Sequence, residues 1–135
     1  MLKDTLGYKL VTILDKIKNY SKHTFSEIGI THGNFIVLLY ISENEGVTQA
    51  KLAEISRKDK NIISRNIDVL EEKGFVIRSR GELDRRSYTL FLTDKGKNVI
   101  STHEHLIING EQNVLKNLTS EEIKTLYILL NKVTK

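Results

Sequence analysis

The chain has 135 residues, carries 21 Lys and Arg against 17 Asp and Glu, and contains no cysteine, proline or tryptophan. This length suits one compact domain, and the lack of cysteine excludes disulfide scaffolds, thiolate metal sites and cysteine chemistry. The N-terminus lacks the layout of a signal peptide, and no apolar stretch reaches the roughly 18 residues of a membrane span, so we expect a soluble, cytoplasmic protein.

The net charge of +4 is not spread evenly along the chain. Residues 48–88 hold ten Lys and Arg against seven Asp and Glu, and therefore three of the four excess positive charges. Such a concentration suits an anionic partner in contact with this third of the chain. An ordinary solvated surface would show the same excess, so the charge by itself leaves both interpretations open.

The first two predicted elements are helices. Near the N-terminus, apolar residues recur every three or four positions, a spacing that predicts an amphipathic helix. They are Leu2, Leu6, Leu10, Ile13, Ile17 and Tyr20. After Gly29, Thr31 is placed to cap a second helix that carries Phe35 and Leu38 on its apolar side.

Two short helices follow, separated by a few polar residues. Thr48 is placed to cap the first of them, which turns Leu52 inward, and Asp59 is placed to cap the second, which extends to Lys73. Gly74 then supplies the left-handed stop that commonly ends a helix. Two short helices joined in this way predict a helix-turn-helix.

The apolar period next changes from about 3.6 residues to 2, which predicts strands. Residues 75–80 and 88–92 form the two strands, and the polar segment 81–87 joins them into a β-hairpin. A long fifth helix is predicted from Thr93 to Leu118.

A capping box of Thr119 and Glu122 opens a sixth and last helix. Its apolar stripe comprises Ile123, Leu126, Leu129, Leu130 and Val133. The predicted fold class is therefore mainly α with a small β-hairpin, made of six helices and one hairpin.

The fourth predicted helix has an apolar and a polar face. At about 100° per residue, Ile63, Ile67 and Leu70 point inward. The opposite face presents Asn61, Ser64, Arg65 and Asp68, with Lys60 at its edge. Arginine can bond guanine O6 and N7 together, and asparagine can do the same to adenine, so this face suits a DNA major groove. We expect the Asp68 carboxylate, which phosphates would repel, to pair with Arg65 or to lie beyond the groove. A plain solvated helix face is the alternative.

Four segments resemble signature segments of the MarR family of transcription regulators, in the family's order and without insertions between them. Val47–Glu54 (VTQAKLAE) is similar to the start of the family's helix-turn-helix, and Ser64–Val76 (SRNIDVLEEKGFV) is similar to its second helix and the residues after it. Asp84–Arg86 (DRR) resembles the family's D-x-R wing motif, and Leu92–Gly96 (LTDKG) resembles the segment that follows the wing. The similarity extends over essentially the whole chain.

The resemblance implies a winged helix-turn-helix that binds double-stranded DNA, with helix 59–73 in the major groove and wing 81–87 in the neighbouring minor groove. In the family's wing motif the arginine probes the minor groove and the aspartate orients it, which by position assigns these roles to Arg86 and Asp84. The implied DNA-binding residues are Lys60, Asn61, Ser64 and Arg65 on the helix, Asp84, Arg85 and Arg86 on the wing, and Thr48 and Lys58 at the DNA backbone.

The resemblance also implies a homodimer. Residues 1–28 and 94–135 would form a helical dimerisation region, and residues 30–93 the winged helix-turn-helix region. The apolar stripes of the first and last helices support a dimer independently, because they exceed what a small core can cover; packing of both helices within one monomer is the alternative. A two-fold dimer predicts a pseudo-palindromic site with half-site centres roughly 10 bp apart. We expect a repressor, because such a dimer occludes promoter DNA.

Many members of the family bind small aromatic or amphipathic molecules. Tyr20, Phe35 and Tyr40 are candidates for lining such an effector site, or for plain core positions. No cofactor or metal is predicted, because His103 and His105 point about 200° apart on a helix and cannot chelate one ion.

We expect no enzymatic activity, because the chain has no phosphate-cradling glycine loop and no recognisable set of nucleophile, base and orienting group. The rival interpretation is a winged-helix protein-interaction module, such as an anti-repressor, that lacks DNA affinity. The retained basic residues argue against it; they are Arg65, Arg78, Arg80, Arg85 and Arg86.

Overall fold

The computed structural model describes residues 1–80 and 87–135. A 3₁₀ turn at Leu2–Asp4 is followed by α1 Leu6–Glu27, α2 His32–Glu43, α3 Gln49–Ser56, α4 Lys60–Glu72, β1 Val76–Arg80, β2 Tyr88–Leu92, α5 Asp94–His103, α6 His105–Val114 and α7 Ser120–Val133. This order confirms the predicted fold class of a mainly helical chain with one antiparallel hairpin. Among the described residues, no helix is both long enough and apolar enough to cross a membrane.

The five helix starts predicted from capping residues are confirmed, because each depends on a local side-chain hydrogen bond; the first helix begins at Leu6, after a 3₁₀ turn that contains Leu2. In every case the capping side chain accepts a bond from a backbone N–H in the first turn of the helix that follows. The capping residues are Thr31, Thr48, Asp59, Thr93 and Thr119. These bonds satisfy amide groups that have no partner within the helix. The predicted stop after α4 is also present, since Gly74 has a φ of +79°.

The predicted fifth helix differs from the structure in its length and continuity. It is divided at Glu104 into α5 and α6, and it ends at Val114 instead of Leu118. At the division, the Nδ1 atom of His103 lies 2.8 Å from the carbonyl oxygen of Val99. The division of the helix is not visible in the apolar spacing of the sequence.

The chain divides into two compact units, Lys22–Glu104 and a second unit formed by Met1–Ser21 with His105–Lys135. The core of the Lys22–Glu104 unit lies where the end of α1 and helices α2, α3 and α4 meet β2. Its fully buried large side chains are Phe25, Phe35, Leu38, Ile41, Leu52, Ile63, Ile67, Leu70 and Leu90. The helix-turn-helix and the hairpin therefore share one core.

In the unit formed by Met1–Ser21 and His105–Lys135, many apolar side chains are exposed. Helix α7 has no buried residue, and Leu129 and Val133 on its predicted apolar stripe are 52% and 71% exposed. Leu6, on the stripe of α1, is 63% exposed. The apolar faces predicted for the first and last helices are thus present, and one chain does not cover them.

The hairpin has a third backbone segment beside it. Strands β1 and β2 pair antiparallel, with Val76 opposite Leu92. On the other side of β2, the N–H of Gly46 donates to the carbonyl of Leu90 over 2.8 Å, and the N–H of Leu90 donates to the carbonyl of Val47 over 2.9 Å. These bonds fix the base of the hairpin to the segment that leads into α3.

The LTDKG segment joins the end of α4 to the start of α5. The Thr93 hydroxyl donates to the carbonyl of Gly74 over 2.6 Å, and the Thr93 N–H donates to the carbonyl of Phe75 over 3.1 Å. Gly96 is buried against the backbone of Phe75, and a Cβ atom at this position would collide with the Phe75 carbonyl oxygen. The glycine of this segment is therefore required by packing.

Candidate nucleic-acid interface

The turn between α3 and α4 is held by backbone and side-chain bonds of its own residues. Arg57 occupies the left-handed region, with φ 55° and ψ 36°, and ends α3. The N–H of Lys58 donates back to the carbonyl of Ala53 over 3.1 Å, and the Asp59 carboxylate accepts from the N–H of Asn61 over 2.8 Å. A left-handed residue is ordinarily glycine, because other side chains pay steric strain there. Here an exposed arginine takes that place beside the start of α4.

The two faces predicted for α4 are present. Ile63, Ile67 and Leu70 form the inward stripe and are fully buried. On the outward side Lys60, Asn61 and Arg65 are exposed, and Ser64 is half-buried. Across residues 1–80 and 87–135, the side chains of Lys60, Asn61 and Arg65 make no hydrogen bond or ion pair with another part of the chain. Their donors and acceptors are available to a ligand.

Asp68 has a different partner from the one expected. Of the two alternatives for Asp68, pairing with Arg65 is wrong, because the carboxylate binds Arg78 on β1, whose Nη2 lies 2.6 Å from Asp68 Oδ1. The other alternative, a place beyond the groove, stays a prediction. The same Nη2 donates to the backbone carbonyl of Ser64 over 3.3 Å, and Nη1 lies 3.7 Å from Glu71 Oε1. Strand pairing brings Arg78 to the side of α4, and helical spacing alone cannot show that approach.

On the other flank of α4, two amide side chains tie the helix to the start of α2. The Nδ2 of Asn34 donates to Oδ1 of Asn66 over 2.7 Å, and the Nδ2 of Asn66 donates to the carbonyl of Ile62 over 2.8 Å. Asn34 also closes the capping box with Thr31, whose N–H donates to Asn34 Oδ1 over 2.9 Å. Sequence reasoning missed this tie. The one local signal was an asparagine in the third position of a threonine-capped helix, the place of the glutamate in a capping box.

The start of α3, the start of α4 and the hairpin surround an open cavity of about 360 Å³. Its lining brings together two of the predicted residues, Thr48 and Lys60, with Gln49, Ala50, Ser87 and Tyr88. The Thr48 hydroxyl serves as the α3 cap, since it accepts from the N–H of Lys51 over 3.1 Å. None of the described residues that line the cavity is a carboxylate, and Lys60 among them is a cation, so this lining suits an anionic group.

The last residue of β1 was not among the predicted site residues. Arg80 packs on the hairpin, where Nη2 lies 3.1 Å and Nε 3.3 Å from the hydroxyl of Tyr88, and its guanidinium carbon lies 5.5 Å from the centre of the Tyr88 ring. Because Tyr88 also lines the cavity, the stacked Arg80 adds positive charge to the same side of the unit.

The predicted wing residues Asp84, Arg85 and Arg86 lie outside the described residues, so their contacts stay a prediction. Of the candidate effector residues, Phe35 is fully buried, Tyr40 is half-buried and Tyr20 is 44% exposed. Phe35 therefore occupies the core position that was its alternative.

One of the histidines considered for metal binding, His103, lies against the core of the Lys22–Glu104 unit. His103 packs near two core rings, with ring centroids 6.1 Å from Phe25 and 6.5 Å from Phe35. Within the part of the chain that the structure describes, no cluster of three His, Asp or Glu side chains has the geometry to hold a metal ion.

Known proteins share both the sequence and the architecture of this chain. The model of the MarR family matches residues 30–88, which include α2, α3, α4 and β1. The HTH-type transcriptional regulator BilQ of Clostridium symbiosum is 30% identical over 134 residues, which make up 99% of this chain and 93% of that protein. The chain belongs to the MarR family. A second relative, the uncharacterized HTH-type transcriptional regulator YybA of Bacillus subtilis, is 34% identical over 122 residues, which make up 90% of this chain and 79% of that protein.

The MarR-family architecture extends over nearly the whole chain. The crystal structure of a mutant MarR from E. coli complexed with operator DNA has a TM-score of 0.85 to this chain at 29% identity, and covers 96% of this chain and 94% of that one. The resemblance predicted from the four signature segments is confirmed. The protein is a transcriptional regulator of the MarR family.

Proposed function

We propose that the protein is a sequence-specific regulator that binds double-stranded DNA and inserts α4 into the major groove. The observation that carries this function is the exposed polar face of α4, where Lys60, Asn61 and Arg65 have no partner among the described residues. A mutant MarR from E. coli of the same fold is complexed with operator DNA, which supports DNA binding by this chain. In this proposal the protein acts without a catalytic step and in the cytoplasm, where it would reach chromosomal DNA.

The polar residues on α4 have different proposed roles in DNA recognition. Arg65 can donate to O6 and N7 of a guanine, and Asn61 can pair with N6 and N7 of an adenine. Ser64 offers a hydroxyl that accepts or donates, and Lys60, at the edge of the face and at the wall of the cavity, suits a phosphate. Thr48 and Lys58 are the proposed contacts to the DNA backbone.

The wing is proposed to contact the minor groove beside the site of α4. In this proposal Arg86 enters the groove, Asp84 orients its guanidinium, and Arg85 adds a neighbouring positive charge. A narrow minor groove concentrates negative potential, so an arginine placed there reads DNA shape. The stacked Arg80 at the end of β1 supports this arrangement, because it adds charge at the base of the wing.

The active form is proposed to be a homodimer that acts as a repressor. Exposed apolar side chains on α1 and α7 support dimerisation through residues 1–28 and 94–135, because contiguous exposed apolar surface commonly marks a protein interface. Residues 30–93 form the DNA-binding region in this arrangement. Two recognition helices related by a two-fold axis would contact half-sites roughly 10 bp apart and would occlude a promoter. A small aromatic or amphipathic molecule is the proposed effector.

The experiment that tests this function is the selection of binding sites from random double-stranded DNA, followed by titration of the selected duplex at several salt concentrations. We expect a pseudo-palindromic sequence and an affinity that falls steeply with salt, because bound lysines and arginines release counterions from the phosphates. Failure to enrich any sequence, together with no binding at low salt, would instead favour the protein-interaction module.

A further inference from the structure

We propose that Arg78 is a positioning residue that sets the orientation of α4 against the hairpin, with Asp68 as its principal partner. This inference rests on the proposed function, because the consequence of the orientation is sequence-specific binding. Arg78 touches no predicted base-reading side chain. It acts through the backbone and the carboxylates of the helix that carries them.

The charged side chain of Arg78 is largely buried. The side chain is 20% exposed, on the face of β1 that also carries the buried Val76, and its cross-strand neighbour Leu90 is fully buried. A charge in this setting is costly unless it is paired and hydrogen-bonded. An apolar residue would satisfy the packing alone, so the guanidinium is explained by what it binds.

The bonds of Arg78 fix both the rotation and the distance of α4. Ser64 O, Asp68 Oδ1 and Glu71 Oε1 lie along two turns on one side of the helix, at 3.3, 2.6 and 3.7 Å from the guanidinium nitrogens. Rotation of α4 about its axis would disturb all three contacts together. The planar guanidinium, unlike the point charge of lysine, holds its donors in fixed directions.

Arg65 lies between two sets of contacts that hold α4 in place. On one flank of α4 is the guanidinium of Arg78, and on the other the amide of Asn66 is bonded to Asn34. With both flanks held, the base-reading face points in one direction. A base contact needs a donor placed within a few tenths of an ångström, whereas attraction to phosphates does not, so orientation matters for specific binding far more than for non-specific binding.

Because Asp68 is negatively charged, its removal should change the affinities for non-specific DNA and for the selected duplex in opposite directions if it positions α4. The carboxylate is 60% exposed on a helix that meets a polyanion, so its removal should strengthen the electrostatic part of binding. If it also positions α4 through Arg78, the same change should weaken binding to the selected duplex. A residue that only repels phosphate would shift both affinities in the same direction.

The test compares wild type with Asp68→Asn, Arg78→Lys and the matched control Glu72→Gln. Glu72 is an exposed carboxylate at the end of the same helix, and no other described residue bonds to its side chain. Each protein is titrated with the duplex that wild type selects and with a scrambled duplex of the same composition. We expect Asp68→Asn to lower the ratio of the two affinities by about tenfold, the loss typical of one charge-assisted hydrogen bond, while it binds the scrambled duplex as tightly as wild type or more tightly.

The controls separate orientation from folding and from charge. Glu72→Gln should leave the affinity ratio unchanged. Arg78→Lys keeps the charge and should still lower the ratio, since lysine cannot bond all three acceptors. Melting curves of each variant verify that it is folded at the temperature of the titration. An equal change in both affinities for Asp68→Asn, as for Glu72→Gln, would overturn the positioning role. If wild type itself selects no sequence, the proposed function fails before this comparison begins.

Discussion

Two basic side chains near the start of α4 have different chemical uses. Arg65 is exposed on the helix face with no described partner, and Lys58 lies in the turn before the helix. A guanidinium presents two parallel donors that match the edge of a guanine, whereas an ammonium is a compact charge without a preferred base. Base reading is therefore expected of Arg65, and phosphate binding of Lys58.

Replacement of Arg65 and of Lys58 should distinguish base reading from phosphate binding. Arg65→Ala should lose roughly 1–3 kcal/mol of discrimination at particular base pairs, and Lys58→Ala should weaken binding uniformly and lower the salt slope by about one. The measurement is the Kd of each variant for the selected duplex and for its single base-pair changes, at several salt concentrations. Uniform weakening by Arg65→Ala would contradict base reading.

At the scale of elements, the contact between α5 and the segment after α4 requires a residue without a side chain, Gly96. The first turn of α5 lies so close to the backbone of Phe75 that a Cβ atom on Gly96 would overlap the carbonyl oxygen. Since that carbonyl also accepts the Thr93 N–H over 3.1 Å, it cannot move away without the loss of a hydrogen bond. The contact thus holds α5 at the base of the helix-turn-helix.

Gly96→Ala should therefore lower the free energy of unfolding by about 1–3 kcal/mol, the usual cost of forcing one extra carbon into a packed site. Gly33→Ala is the control, because its Cβ would lie 3.7 Å from the Thr31 hydroxyl, an ordinary contact, in the same compact unit. Urea unfolding followed by circular dichroism measures both. Equal stability of the two variants would show that α5 can shift freely.

The helix caps could be predicted from the sequence, whereas the side-chain hydrogen bonds between elements could not. Thr31, Thr48 and Asp59 act on N–H groups two or three residues ahead, so local residue types determine them. The bond of Arg78 to Asp68 spans 10 residues, and that of Asn34 to Asn66 spans 32. These partners meet only through strand pairing and helix packing. Helical spacing identified the exposed face of α4, but not what holds it in place.

For the whole molecule, the distribution of apolar surface is uneven. The Lys22–Glu104 unit buries a continuous core, while the unit of Met1–Ser21 and His105–Lys135 leaves α7 without a buried residue. Exposed apolar area of this kind carries a free-energy cost of about 25 cal/mol per Å² relative to burial. A second copy that covers the same faces would remove that cost for both chains, which is the physical reason for the proposed dimer.

Leu129→Glu should therefore prevent the proposed dimer from forming, because Leu129 is 52% exposed in one chain and the variant places a charge on the face that the dimer would cover. In analytical ultracentrifugation we expect wild type to have twice the 15.5 kDa mass of one chain, and the variant to have about the mass of one chain. Ile77→Glu is the matched control, since Ile77 is 53% exposed on β1 in the other unit and should leave the mass unchanged. A monomeric wild type at micromolar concentration would contradict the dimer.

The third backbone segment beside the hairpin affects how the molecule behaves in concentrated solution. Strand β2 has backbone partners on both sides, so of the two strands of the hairpin only β1 has an open edge among the described residues. That edge is five residues long and contains two arginines. Short, charged edges discourage intermolecular sheet extension and amyloid-like stacking, so this sheet carries its own protection against aggregation.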